Sequence, residues 1–352
     1  MEILLKTYGK DGETVFDPFA GVGTTLFEAA KLNMRGRGTE LNPSAFLMAQ
    51  SVEWVRYSLR DREEFISVAR AALEKVLPAQ ALTNPFLPVD TFQEARDVAN
   101  AALETGYSNE VKHILANTLI RGLGNDNNFL KAFHQHISIL LNLPFLSAAQ
   151  RVFQADARRT PLAPESVDLV LTSPPYINVF NYHENNRKAM ELLGWDILSV
   201  AKAEVGSNRK NRGNRFLTVI QYCLDMLDVL LELKRVLKET GNAIFIVGKE
   251  SMVRGIPFEN GELVSSLAPL SGFRVVMRQS RRFSNRFGQS IFEDILHLVP
   301  AASDATPDPR SIAVQMLKQK TGRTMPADVR ADLEAAITGA RDVSPSPIYS
   351  IY

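Results

Sequence analysis

The apolar positions of this chain follow two patterns that alternate along the sequence. Short, mostly apolar runs at Val167–Thr172 and Ala243–Val247 are typical of strands buried in a parallel sheet. Between them, apolar residues recur at helical spacing, and Gly241 marks the predicted end of that helix. The series consists of Val219, Cys223, Met226, Leu230, Leu233 and Leu237. Strands alternating with helices predict an α/β fold.

Further strand-like runs extend the pattern in both directions. One leads from Val15 to Asp17, a second is Arg35–Glu40, a third leads from Arg151 towards Asp156, and Phe273–Met277 with Ile295–Val299 form a predicted closing pair. Together these runs predict one sheet of seven strands, mostly parallel, with helices between the strands, from about Thr14 to Pro300.

The domain boundaries follow from where this pattern is interrupted. Residues 1–50 and 146–300 carry the strands, whereas residues 51–145 are dominated by helical periodicity and predict a helical insertion between strands 2 and 3. A target-recognition region, a cover over the sheet and a dimer contact remain open for that insertion. Residues 301–352 predict a linker, a short helical hairpin and a loose tail.

Ser173-Pro174-Pro175-Tyr176 directly follows the buried strand at 167–172. Two prolines end the strand and stiffen the backbone, so the carbonyls of Ser173 and Pro174 become fixed acceptors beside the ring of Tyr176. Open α/β sheets bind ligands at the carboxyl ends of their strands. Fixed acceptors next to an aromatic ring suit a flat base that bears an amino group.

A second motif, Asp17-Pro18-Phe19-Ala20-Gly21-Val22-Gly23-Thr24-Thr25, lies between the first predicted strand and a helix. Glycines at such a turn let the backbone approach a ligand closely. The loop lacks the lysine of a phosphate-binding P-loop, and Glu40 follows at the distance where a carboxylate meets a ribose. The pattern predicts a nucleoside ligand without a pyrophosphate.

These two motifs together resemble the amino-directed DNA methyltransferases, which transfer a methyl group from S-adenosyl-L-methionine to the exocyclic amine of cytosine or adenine. The resemblance implies a Rossmann-like class I methyltransferase fold. It also implies that Glu40 contacts the cofactor's ribose, that Asp156 contacts its adenine, and that Ser173 to Tyr176 are catalytic. The implied cofactor-binding residues are Asp17, Pro18, Phe19, Gly21, Gly23, Thr24, Glu40 and Asp156.

The form of the tetrapeptide bears on the target base. Opening with serine, it resembles the N4-cytosine enzymes more than the N6-adenine enzymes of that family. The base would be flipped out of the duplex and stacked on Tyr176. Ring-carbon methylation would need an activated cysteine, and the single cysteine, Cys223, falls on the apolar face of a predicted helix, where we expect a buried core thiol.

Overall charge says little, because 40 Lys+Arg and 39 Asp+Glu give a formal net charge of +1. Two loops without acids nevertheless predict contacts with double-stranded DNA. Their basic residues are Arg209, Lys210, Arg212, Arg215, Arg281, Arg282 and Arg286. Asn208, Asn211 and Asn214 are interleaved in the first loop, and the segment 178–186, with Tyr182 and His183, is predicted to wall the base pocket.

Few residues precede the first strand, so the helix that closes the cofactor pocket in family members looks truncated. An internal start, a partner polypeptide or a different closure each accounts for this. With no signal peptide, no long apolar span and no metal-binding cysteine pattern, we expect a soluble cytoplasmic protein without a metal. A cognate restriction endonuclease, RNA methylation, and a DNA-binding half-protein that needs a partner remain open.

Overall fold

The computed structural model contains one large sheet whose strand order is β3-β2-β1-β4-β5-β9-β8. The residues described are 1–77, 91–124, 128–146, 149–177, 184, 186–206, 211, 213–284, 288–302 and 308–349. The strands of this sheet are β1 (Thr14–Asp17), β2 (Arg35–Glu40), β3 (Arg151–Gln154), β4 (Val167–Thr172), β5 (Leu237–Gly248), β8 (Phe273–Ser284) and β9 (Ser290–Pro300). Strands β1 to β5 pair in parallel, and β9 and β8 add antiparallel pairs. The predicted Rossmann-like, seven-stranded, mostly parallel sheet is confirmed.

The strand order reverses beside β1, which has β2 on one side and β4 on the other. At such a switch point the loops after neighbouring strands diverge and leave a crevice at the carboxyl ends. The glycine loop follows β1, and the proline tetrapeptide follows β4. The fold therefore brings the two sequence motifs to the same edge of the sheet.

Helices cover both faces of the sheet. The helices outside the insertion are α1 (Glu2–Tyr8), α2 (Thr24–Lys31), α3 (Pro43–Ala49), α8 (Arg187–Leu192), α9 (Ile197–Ala203), α10 (Leu217–Val236) and α11 (Asn260–Leu267). Helix α10 packs against one face through residues such as Cys223 and Leu230, and α1 packs against the other through Leu4 and Leu5. Helix α10 ends at Val236, so Gly241 lies within β5 and the predicted helix end at Gly241 is wrong.

The region between β2 and β3 is helical, as predicted. A 3₁₀ helix at Gln50–Arg56 precedes α4 (Leu59–Val76), α5 (Thr91–Leu103), α6 (Asn109–Gly124) and α7 (Phe129–Asn142). Their apolar residues form a core of their own that also takes in Leu26 and Ala30 of α2. Within the described ranges, no helix combines the length and the apolar character needed to cross a bilayer.

The C-terminal region contains α12 (Pro309–Lys320) and α13 (Ala327–Thr338), which join the core around α10. After them, the residues Ser344–Tyr349, here called the C-terminal strap, hydrogen-bond to Arg158 and Asp225. The predicted loose tail is therefore wrong. A small hairpin sheet of β6 (Glu250–Val253) and β7 (Ile256–Glu259) is also absent from the sequence prediction.

Candidate active site at the carboxyl ends of the strands

A cavity of about 370 Å³ lies at the carboxyl ends of β1 to β4. That volume is in the range of small-molecule sites. Seven predicted site residues line it, namely Pro18, Phe19, Gly21, Glu40, Asp156, Ser173 and Pro175. The residues of α3 and of the segment 203–205 complete the wall. The structure thus places the glycine loop and the start of the tetrapeptide around one cavity.

Asp17 lies beneath the glycine loop and is not part of the cavity lining. Its carboxylate accepts hydrogen bonds from the hydroxyls of Thr25 (2.6 Å) and Thr172 (2.7 Å) and from the Phe19 N–H (3.1 Å). Burial raises the pKa of Asp17, while these three bonds act to lower it. Asp17 therefore joins the end of β1 to β4 through Thr172 and to α2 through Thr25, and sequence reasoning missed both contacts.

The glycine loop depends on backbone conformations that favour glycine. Gly21 and Gly23 have φ angles of 54° and 92°. A Cβ at Gly23 would lie 3.0 Å from the Cα of Ala49, so a side chain there would push α3 away. Thr24 begins α2 and is exposed. The loop can thus expose backbone groups to a ligand while it packs tightly against α3.

Glu40, at the end of β2, receives hydrogen bonds from backbone groups. Its two carboxylate oxygens accept from the N–H of Gly21 and from the N–H of Asn42, both at 2.8 Å. Burial outweighs these bonds and raises the pKa of Glu40 to about 7. The acid thereby ties the glycine loop to β2 and has a charge that is sensitive to pH near neutrality.

Asp156 has a different environment. Its Oδ1 accepts from Arg158 N (3.0 Å) and Nε (2.9 Å), and its Oδ2 accepts from Arg158 Nη2 (2.6 Å) and from the Tyr349 N–H (3.1 Å). A carboxylate offers about four acceptor positions. The four bonds therefore occupy the acceptor positions of Asp156, and the longest of them comes from the C-terminal strap.

The tetrapeptide leaves β4 with Ser173 exposed and Pro174 buried. The carbonyl of Pro175 accepts a hydrogen bond from the Tyr222 hydroxyl at 3.0 Å. Burial raises the pKa of Tyr222, which keeps this hydroxyl protonated as a donor. Sequence reasoning missed Tyr222. A phenol within the apolar series of the predicted helix is the signal that could have found it.

The ring of Tyr176 packs against β5. A Cβ at Gly248 would lie 3.0 Å from the Cε2 atom of Tyr176, and a Cβ at Gly206 would lie 2.5 Å from its carbonyl oxygen. The absence of a side chain at Gly206 and Gly248 therefore provides the space that Tyr176 occupies. Cys223 is buried in the core, and burial raises the pKa of its thiol. This thiol is therefore not an activated nucleophile.

Asn186 is the described end of the segment predicted to wall the base pocket. It lines the cavity, has a φ of 61°, and donates from Nδ2 to the Ser44 hydroxyl at 3.3 Å. This bond joins the chain after the tetrapeptide to α3. Residues 178–183 and 185, which include Tyr182 and His183, lie outside the described residues.

Three of the predicted DNA-binding residues, Arg215, Arg281 and Arg282, are described, and they lie at the same edge of the sheet as the cavity. Strand β9 runs antiparallel to β5 and pairs Glu293 with Gly248, so the outer part of the β8–β9 hairpin, with Arg281 and Arg282, extends beyond the carboxyl end of β5. Arg215 precedes α10 at that edge. Arg209, Lys210, Arg212 and Arg286 lie outside the described residues.

Several polar side chains of these loops bind within the protein. Arg281 forms an ion pair with Glu293 at 2.5 Å, whereas Arg282 donates to the Ser290 hydroxyl and lies over the ring of Phe292. In the first loop, Asn211 and Asn214, which we expected to face DNA, turn inward. Asn211 donates to the side chain of Gln221, and Asn214 donates to the carbonyl of Asp332.

Parts of this chain are similar to known proteins. Residues 1–51 match the family model N6_N4_Mtase, described as DNA methylase. Over 130 residues the chain is 31% identical to the Type II methyltransferase M.MjaII of Methanocaldococcus jannaschii. That match covers 37% of this chain and 23% of the relative, so it spans about a quarter of the relative's length.

Solved structures include a SAM-dependent methyltransferase from Methanosarcina mazei, with 10% identity, a TM-score of 0.39, and coverage of 85% of this chain and 98% of that chain. The PH0226 protein from Pyrococcus horikoshii OT3 has 12% identity, a TM-score of 0.37, and coverage of 85% and 87%. The family match and the M.MjaII relative confirm the predicted resemblance to the amino-directed DNA methyltransferases. They also confirm S-adenosylmethionine as the cofactor of that family.

Proposed function

We propose that this chain is an S-adenosylmethionine-dependent DNA methyltransferase that methylates the exocyclic amine of a flipped base, with cytosine N4 as the favoured target. The observation that carries the proposal is the common cavity. Gly21 and Glu40 line it together with Ser173 and Pro175, so a cofactor site and the catalytic tetrapeptide share one space.

The acids around the cavity fit the nucleoside part of the cofactor. The two backbone bonds to Glu40 leave acceptor capacity for the ribose hydroxyls. At Asp156 the adenine amine would replace the Tyr349 N–H, because that bond is the longest of the four that the carboxylate accepts. When bound, the cofactor supplies an electrophilic methyl group on a positively charged sulfur.

The tetrapeptide would activate the amine of the base. The lone pair of an exocyclic amine is delocalised into the ring, and hydrogen bonds from its N–H groups to the carbonyls of Ser173 and Pro174 favour a tetrahedral nitrogen. Tyr222 already occupies the Pro175 carbonyl and holds the loop in place. Tyr176 would stack on the base, and Cys223, which is buried in the core, takes no part.

Double-stranded DNA would lie across the edge that carries Arg215, Arg281 and Arg282. Arg282 is the best candidate for a phosphate contact, because its bonding partner here is a hydroxyl rather than an acid. Arg274 is an exposed arginine at the opposite end of the same strand, where it pairs with Val299. We expect Arg282→Ala to weaken DNA binding measured by fluorescence anisotropy, and Arg274→Ala to leave it unchanged.

Mass spectrometry of nucleosides from DNA of cells that express this chain tests the reaction. N4-methylcytosine should accumulate with the native chain and be absent with Tyr176→Ala or Ser173→Ala. N6-methyladenine would keep the reaction class and change the base. Label transfer to tRNA rather than duplex DNA would replace the DNA proposal.

Calorimetry with S-adenosylmethionine separates an inactive half-protein from a complete enzyme. Binding by the chain alone is expected, and its absence would indicate that a partner polypeptide completes the pocket. A cognate restriction endonuclease and action in the cytoplasm are also part of the proposal.

A further inference from the structure

A buried arginine connects the cavity to the C-terminal strap. The guanidinium of Arg158 has no exposed surface. It donates to both oxygens of Asp156, to Asp225 Oδ1 (2.9 Å), and to three carbonyl oxygens. Those carbonyls belong to Ala203 (3.2 Å), Ser346 (2.7 Å) and Pro347 (2.8 Å). Every N–H-bearing nitrogen of this side chain therefore has an acceptor.

The strap is held from a second side by α10. Ser346 donates its N–H and its hydroxyl to the two carboxylate oxygens of Asp225, each at 2.7 Å. Gln221, one turn earlier on α10, donates to the Ser346 hydroxyl at 2.5 Å and accepts from Asn211. The network thus runs from the strap to the loop that precedes α10.

The Arg158 side chain touches the cavity wall at two places. Asp156 and Ala203 both line the cavity, and they come from different elements, the loop after β3 and the end of α9. A planar guanidinium that bonds to both fixes their relative position, because its N–H groups point in set directions. If the strap left, Arg158 would lose two of its carbonyl acceptors inside the protein. Its Nη1 would keep only Asp225 as an acceptor, and fewer bonds would hold the guanidinium that fixes Asp156.

We propose that Arg158 is a positioning residue of the cofactor site and that the C-terminal strap holds it in its working orientation. The inference rests on the proposed function, because it assigns the adenine side of that site. The strap, which is distant from Arg158 in the sequence, then supports the cavity wall formed by Asp156 and Ala203. The anchor is Ser346 with Pro347, while the Tyr349 N–H gives way to the adenine amine.

Two substitutions at the anchor test this proposal in the full-length chain. Ser346→Ala weakens the hold on the strap, and Asp225→Asn weakens both the strap and the ion pair with Arg158, and neither residue lines the cavity. We expect the KM for S-adenosylmethionine to rise roughly tenfold, since a hydrogen bond to a charged group is lost, while kcat and the KM for DNA stay within about twofold. Arg158→Lys keeps the positive charge but not the fork, and should show the same rise.

Glu232→Gln is the matched control, because Glu232 lies on the same helix and accepts bonds from Thr160 and Arg235 away from the cavity. This variant should lose stability without changing the KM for S-adenosylmethionine. An unchanged KM in the Asp225 and Ser346 variants would overturn the proposal. A lower KM would overturn it too, because it would show that the strap obstructs the cofactor.

Calorimetry distinguishes a failure of the positioning role of Arg158 from a failure of the proposed function. If the native chain binds no S-adenosylmethionine in calorimetry, the proposed function fails at the cofactor. If the native chain binds and the Asp225, Ser346 and Arg158 variants bind equally well, the positioning role alone fails.

Discussion

Two acids border the cavity at the ends of neighbouring strands, and they differ in the groups that bind their carboxylates. Glu40 ends β2 and pairs in register with Gln154 of β3, two residues before Asp156. Backbone N–H groups bind Glu40, whereas the guanidinium of Arg158 forms a two-pronged ion pair with Asp156. A carboxylate that is buried without a counter-charge gains a proton more easily, because burial disfavours its charged form. The ends of β2 and β3 therefore present one acid that backbone groups hold and whose pKa burial raises, and one acid that an arginine holds.

The largest effect should come from removing the arginine that pairs with Asp156. Arg158→Met leaves Asp156 and Asp225 buried without their common partner. We expect the free energy of unfolding to fall by about 3–5 kcal/mol, the usual cost of breaking a buried ion pair on one side. Urea denaturation measures it. A loss below about 1 kcal/mol would show that the two acids do not depend on the guanidinium.

Glu40→Gln should weaken cofactor binding and also cost some stability. The glutamine amide can accept from only one of the two backbone N–H groups that Glu40 binds, so stability should fall by about 1–3 kcal/mol, and ribose hydroxyls lose a charged acceptor worth about 1.5–3 kcal/mol. The affinity for S-adenosylmethionine in calorimetry should drop by roughly 10- to 150-fold. Glu53→Gln is the control, because Glu53 also accepts a backbone N–H and lies outside the cavity lining. Equal losses in both variants would contradict the contrast.

Glu40 should also make cofactor binding depend on pH. Burial raises the pKa of Glu40 to about 7, so the free protein protonates it as the pH falls through 7 and loses an acceptor for the ribose. Affinity for S-adenosylmethionine should therefore decline below pH 7, by at most about tenfold per pH unit, and level off above it. The Glu40→Gln variant should lose this dependence. A dependence that persists there would place the titrating group elsewhere.

The smallest effect should come from Asn42→Ala, which removes the side chain that caps α3 but keeps the backbone N–H that binds Glu40. Asn42 Oδ1 caps α3 by accepting from the N–H groups of Ser44 and Ala45, while its own N–H binds Glu40. Asn42→Ala should cost about 1 kcal/mol of stability, as N-cap losses usually do. Because the backbone donor remains, the pH midpoint for cofactor binding should stay near 7. A shifted midpoint would mean that the cap itself tunes the acid.

The sheet and the tetrapeptide were predictable because their signals are local. The apolar run Val167–Thr172, with two prolines shortly after it, predicts both a buried strand and the position where that strand ends. The glycines of the first loop similarly require conformations that the structure confirms at Gly21 and Gly23. Because β1 and β4 are parallel neighbours, the fold brings the two motifs together at the carboxyl ends of these strands.

The network around Arg158 was not predictable in that way. The strap carries no periodic pattern, and its bonds to Arg158 join residues 188 and 189 positions apart. The choice of Asn211 and Asn214 as DNA contacts failed for a related reason. Residue type identified them as polar loop residues, but only the packing of α13 and α10 decides that they face inward. The orientation of a polar side chain depends on neighbours that the local sequence does not name.

The strap also sets an order of events during synthesis. A ribosome that has just made Arg158 needs roughly ten to forty seconds to reach Pro347, at about 5–20 residues per second. During that time the β3 side of the cavity exists without two of the carbonyls that receive its arginine. A nascent chain can therefore assemble the glycine loop and Glu40 early, but the bonds around Asp156 and Arg158 are complete only once Ser346 and Pro347 have emerged.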